Sequence, residues 1–119
     1  MPVTSSRSSI KRWPSAEQVL GAATVWAKEF AAANDGVVAV GYFGSYAVGE
    51  AGVGSDLDLI VIRRDDAPVP DLLGADVAAL PVPTDILHYT EGEFSAMLER
   101  GGKMARVARH ETAWLIGGI

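Results

Sequence analysis

The chain has 119 residues, 49% of them hydrophobic and 21% charged, and a formal net charge of −5. That length supports one buried core rather than two, and the acidic balance argues against a protein that coats phosphates, so direct nucleic-acid binding is not expected. Cysteine is absent, which excludes disulfides, zinc–thiolate centres and thiol nucleophiles. The N-terminus is polar, with no apolar leader, and no segment reaches the length of a membrane span. A soluble, cytoplasmic protein without membrane partners is the expectation.

Residues 1–13 are rich in serine and basic side chains and read as a loose arm, leaving residues 14–119 as a single domain. Pro14-Ser15 starts a helix, with Ser15 and Gln18 spaced as a capping box. Val19, Ala23, Trp26 and Phe30 then recur at steps of four, three and four, the stripe of an amphipathic helix. Asn34-Asp35-Gly36 ends it. Val37–Phe43 is a β-branched and aromatic run, hence a buried strand. The glycine-rich segment that follows holds at most a short helical turn. Residues 57–62 form the second strand. Asp71 is expected to cap a helix carrying Leu73, Val77 and Leu80, ended by Pro81 and Pro83. Residues 84–89 read as a third strand, and Thr90 with Glu93 as a second capping box. Phe94, Met97 and Leu98 give that helix its apolar face. A helix over Lys103–His110, with Met104, Val107 and Ala108 inward, and an apolar edge strand over residues 112–116 complete the chain. Helices alternate with strands, with no internal repeat.

The chemistry concentrates in Gly44-Ser45, the pair Asp56 and Asp58 ten residues later, and Asp85. Strand side chains alternate, so Asp56 and Asp58 share one face, about 7 Å apart along the strand. Ile60 and Ile62 continue that face as hydrocarbon. If Ser45 ends one strand and Asp56 opens the next at one site, the two strands run antiparallel. Asp85, near the start of the third strand, can reach the same sheet end. Three converging carboxylates repel one another unless cations bind, and magnesium takes oxygen ligands from one or two carboxylates plus phosphate and water. Gly44 permits close approach of backbone to phosphate, and the Ser45 hydroxyl can donate to phosphate oxygens. Other chemistries fit poorly. The loop lacks the Lys-Ser/Thr of a P-loop, His88 and His110 have no metal-ligand spacing, and Ser45 has no evident histidine base.

The segment GSYAVGEAGVGSDLDLIVI resembles the signature of the minimal nucleotidyltransferases, the smallest members of the DNA polymerase β-like superfamily. Their pattern is Gly-Ser, ten residues, Asp-x-Asp, then a third acid on a later strand. The resemblance extends over about residues 19–115. It implies an α/β (α+β) fold, with a mixed sheet of about four strands flanked by helices. It also implies magnesium, with two ions possible, and ATP as the donor of a transferred AMP. Asp56, Asp58 and Asp85 would then be metal-binding and catalytic, with Asp85 the third acid and helper to the attacking hydroxyl, and Gly44 and Ser45 the nucleotide contacts. Many small members that resemble this chain are encoded beside an all-helical HEPN ribonuclease toxin, and in some such pairs the nucleotidyltransferase acts as the antitoxin by attaching AMP to it. One departure stands out. Many members read Gly-Ser-x-Ala-Arg-Gly, and Val48 falls where that arginine lies. The alternatives are a catalytically weak or inactive module that neutralises a partner by binding, and a small-molecule nucleotidyltransferase. Lys103, Arg106 and Arg109 recur every three residues, a basic face open either to solvent or to a partner.

Overall fold

Ser15 starts the first helix as its spacing requires. Its hydroxyl accepts the Gln18 amide at 3.1 Å, and the Gln18 side chain accepts the Ser15 amide at 2.8 Å. In the computed structural model, which describes residues 13–70 and 77–118, this helix, α1, spans Ala16–Ala33. It buries Val19, Ala23, Trp26, Ala27 and Phe30 against the sheet, with Trp26 and Phe30 stacked 4.8 Å apart. The expected arm lies outside the described residues except for Trp13, which is not loose but packs against the core beneath α1.

Four strands follow: β1 (Val37–Phe43), β2 (Leu57–Arg63), β3 (Thr84–Thr90) and β4 (Ala113–Ile116). Their order in the sheet is β3-β2-β1-β4. β1 pairs antiparallel with β2 and with β4, while β2 and β3 are parallel. The sheet is therefore mixed, and β4 is an edge strand as expected. Leu57, Leu59, Ile60 and Val61 are all fully buried, because β2 is central and both faces are covered. That explains its near-continuous hydrophobic run. Leu57, Leu59 and Val61 pack under α1. Ile60 and Ile62 pack with Phe94 and Met97 of α2 (Glu91–Arg100) and Ala105 and Ala108 of α3 (Lys103–His110). The capping box of α2 forms as expected, Thr90 with Glu93. Gly41 is required where β4 crosses: a Cβ there would meet Ala113 O and the Trp114 ring at 2.9 Å.

Some expectations need correction. β2 and β3 each run one residue further, to Arg63 and Thr90. Of the helix expected from Asp71, residues 71–76 including Leu73 lie outside the described residues, and the described remainder is a single 3₁₀ turn at Val77–Ala79. Pro81 and Pro83 follow directly, and neither can extend a helix. In α3 the buried positions are Ala105 and Ala108, whereas Met104 and Val107 are only half-buried. Ala108 is inward as expected and Met104 packs against the same cluster, while Val107 lines a cleft at the sheet end.

Candidate active site at the end of the central strands

β1 leaves the sheet at Phe43 and turns at once through Gly44–Tyr46. Gly44 has φ +73°, and a Cβ there would collide with the Asp58 carboxylate. Both the left-handed backbone and the close approach therefore demand glycine. The turn is held internally: the Ala47 and Val48 amides donate to Gly44 O at 3.0 and 3.2 Å, and the Glu50 amide to Ser45 O at 2.9 Å. Tyr46 anchors it in the core under α1. Ser45 is half-buried and Val48 is exposed.

The loop back to the sheet closes on a second small turn. There the Ser55 hydroxyl accepts the Gly52 amide at 2.9 Å and the Ser55 amide donates to Gly52 O at 3.0 Å. Asp56 follows, exposed, one residue before β2 begins. The Leu57 amide donates to Pro83 O at 2.9 Å, which pins the start of β2 to the approach of β3. The register that results puts Asp58 opposite Phe43 on one side and Asp85 on the other. Directly paired residues share a face, so Phe43, Asp58 and Asp85 form one row across three strands. Behind that row, on the same face, Ile60 begins the hydrocarbon core under α2 and α3. The antiparallel β1–β2 pair and the arrival of Asp85 at the same sheet end match the sequence reading.

The electrostatics of this row are unbalanced. Asp58 is pushed above the usual carboxylate range, first by burial and then by the negative charges of Asp85 and Asp56. Arg63 and Arg64 do not help, since Arg63 lies five residues along β2 from Asp58, about 17 Å at ordinary strand rise. Arg63 is occupied elsewhere, its Nε donating to His88 Nε2 at 3.1 Å and its Nη1 to Ala67 O at 2.6 Å.

A nucleotidyltransferase domain model matches residues 26–106. The chain belongs to the nucleotidyltransferase domain family. Two solved structures resemble this nucleotidyltransferase in fold. One is a protein from Sulfolobus solfataricus provisionally named a nucleotidyltransferase, with 21% identity, TM-score 0.56, and 83% of this chain and 80% of that chain covered. The other is a toxin–antitoxin with AMP-PNP, with 17% identity, TM-score 0.55, and 79% and 73% covered. No protein of curated function matches the chain.

Among the described residues, no three acidic or histidine side chains are already closed into a metal cage. The donor set is nevertheless that of a hard divalent cation: carboxylate oxygens only, with Asp58 and Asp85 in register and their repulsion unrelieved. Magnesium sites are usually completed by substrate phosphate and water rather than by protein alone, so the residues of this nucleotidyltransferase fit the ion. Beside the row lies a cleft of about 410 Å³ between the Gly44 turn and α3, lined by Phe43, Gly44, Lys103, Met104, Val107 and Glu111. Sequence reasoning missed this wall because it assigned Val107 to the core and Lys103 to a solvated face; Met104 does pack against the core, as expected, and lines the cleft as well. The available signal was the spacing 103, 104, 107, 111, which keeps one side of a helix. No helix among the described residues is long and apolar enough to cross a membrane.

Proposed function

We propose that this nucleotidyltransferase moves AMP from ATP to a hydroxyl on a partner protein, and that it is the antitoxin of a pair with a small all-helical HEPN-type toxin. The observation that carries the reading is the row itself, Asp58 in register with Asp85 beside Gly44, whose left-handed backbone favours glycine and where a Cβ would meet the Asp58 carboxylate. Asp56, Asp58 and Asp85 would hold magnesium, which when bound supplies charge neutralisation for the phosphates and the leaving pyrophosphate. Gly44 and Ser45 receive phosphate oxygens at the turn. Asp85, exposed on its strand, orients the attacking hydroxyl and accepts its proton. The hydroxyl oxygen bonds to the α-phosphorus, the bond to the bridging oxygen of the β-phosphate breaks, and pyrophosphate leaves. Burial of the hydrocarbon behind Asp58 fixes the row and excludes water from that side. The partner assignment is supported by the toxin–antitoxin neighbour with AMP-PNP and by the resemblance of the 44–62 segment to the minimal nucleotidyltransferases.

The experiment is transfer of labelled AMP from ATP to the co-purified partner. Wild type should label it, and the double change Asp56→Asn, Asp58→Asn should reduce labelling about a thousandfold or more. Labelling that survives the double change refutes the site. Exposed Val48 in place of an arginine favours a second reading, in which the domain neutralises its partner by occlusion. There the double variant would still bind and neutralise, and nucleotide would be dispensable.

A further inference from the structure

The row of acids leaves open where the charge of a triphosphate is met on the protein side. Position 48 offers a valine, and Arg63 of β2 and Arg64 just after it are hydrogen-bonded at the strand's other end. The cleft beside the Gly44 turn supplies a different candidate. Its volume of about 410 Å³ falls within the usual range of small-molecule sites. One wall is Phe43 and Gly44, the residues adjoining Asp58 in register and in space. The other is the face of α3 that carries Lys103, Met104, Val107 and Glu111. Lys103 opens α3 and Glu111 follows its last residue. The two charges therefore lie at opposite ends of the wall, about 12 Å apart along the helix axis, with apolar side chains between them. An anion is drawn to the Lys103 end, where the N-terminal field of α3 adds to the ammonium charge. Glu111 repels it from the other.

We propose that Lys103 binds the β- and γ-phosphates of the nucleoside triphosphate, across the cleft from the Gly44 turn, and so takes the part of the missing cation at position 48. The inference rests on the nucleotidyltransferase reading of the acid row and extends it to a residue outside the motif. Arg106 sits one turn further along α3, is exposed, and does not line the cleft. It carries the same charge on the same helix, which makes it the matched control.

The test is calorimetric titration of the full chain with magnesium AMP-PNP and, separately, with AMP, for wild type, Lys103→Ala, Lys103→Arg and Arg106→Ala. Lys103 and Arg106 are both exposed, so melting temperatures should be unchanged. Lys103→Ala is expected to weaken AMP-PNP about ten- to hundredfold, the range of a lost charge-assisted contact, and AMP by less than about twofold. Lys103→Arg should restore most of the AMP-PNP affinity, and Arg106→Ala should change neither ligand more than about twofold. Equal losses for AMP and AMP-PNP would overturn the assignment to the outer phosphates. Equal losses in the Lys103 and Arg106 variants would reduce the effect to a diffuse field and overturn it as well. If wild type binds AMP-PNP and Lys103→Ala binds it as tightly, only the role of Lys103 falls. If wild type binds neither nucleotide, the reading of the acid row falls with it.

Discussion

The two ends of β2 differ in charge: acids alone gather at the near end, whereas Arg63 and Arg64 stand beside Asp65 and Asp66 at the far end. At the far end these groups have partners, Asp66 meeting Arg64 in an exposed ion pair at 3.5 Å. Arg63 donates to His88 and to Ala67 O, Arg64 donates to Asp35 O at 3.1 Å, and Asp65 accepts the Gly92 amide at the start of α2 at 2.8 Å. That last contact holds the Asp65 carboxyl below its usual range. At the near end, Asp58 is paired with no cation among the described residues and is burdened by burial and by two other acids. Groups that satisfy one another stabilise a fold. Groups that repel one another at a sheet end are held there by the rest of the fold, the pattern that the proposed ligand site would explain.

The sharpest way to separate the two ends is to remove a charge from each. Asp58→Asn should reduce AMP transfer about a thousandfold or more yet leave the ligand-free domain at least as stable. Because its folded pKa is raised, the native state binds a proton at Asp58 more readily than the unfolded chain. The stability this group contributes is present below the ordinary carboxylate range and is lost as pH rises through the raised value. At neutral pH the asparagine variant should therefore melt slightly higher, by roughly 1–3 °C once solvent screening of this half-exposed group is allowed for. Calorimetric melting at pH 4 and pH 7 checks it, since the gap should close at the lower pH.

Arg63→Ala should give the opposite pattern. It leaves His88 Nε2 and Ala67 O without their donor, at a cost of about 1–3 kcal/mol, seen as a fall in melting temperature with transfer per folded molecule retained. Equal loss of transfer in both variants would erase the distinction between the ends. Gly44→Ala joins them in one residue, combining about 1–2 kcal/mol of left-handed strain with displacement of Asp58. Both melting temperature and transfer should fall, and urea titration alongside the labelling assay measures the two.

The smallest effect belongs to His88. Burial, and then the Arg63 charge, hold its pKa below the usual histidine range, with Glu93 opposing. The native state thus gives up this proton more readily than the unfolded chain, so stability is lost as pH falls through the ordinary histidine range. His88→Gln should flatten a shallow decline in melting temperature between about pH 7 and 5.

Much of this arrangement is legible in the sequence because local signals agree with it. Ser15 with Gln18 and Thr90 with Glu93 mark helix starts through bonds made within four residues, and the periodicity of Val19, Ala23, Trp26 and Phe30 gives the buried face of α1 directly. The acid row was legible in part, since Gly44 and the Asp-x-Asp spacing are local. The alignment of Asp58 with Asp85 depends on the Leu57–Pro83 bond, a contact between distant segments that no spacing encodes. The cleft was missed for the same reason. Whether Val107 faces the core or the sheet end depends on which side of α3 packs on the sheet, here that of Ala105 and Ala108, a property of the partner surface rather than of the helix.

One measurement bears most directly on the claim that the near end of β2 is held for a ligand: melting of wild type and Asp58→Asn, each with and without saturating magnesium AMP-PNP. Without ligand the variant should melt at or slightly above wild type. With ligand the order should reverse, because only wild type gains the binding free energy, about 2.7 kcal/mol at a hundred times the dissociation constant. Melting curves that keep the same order in both conditions would contradict the account.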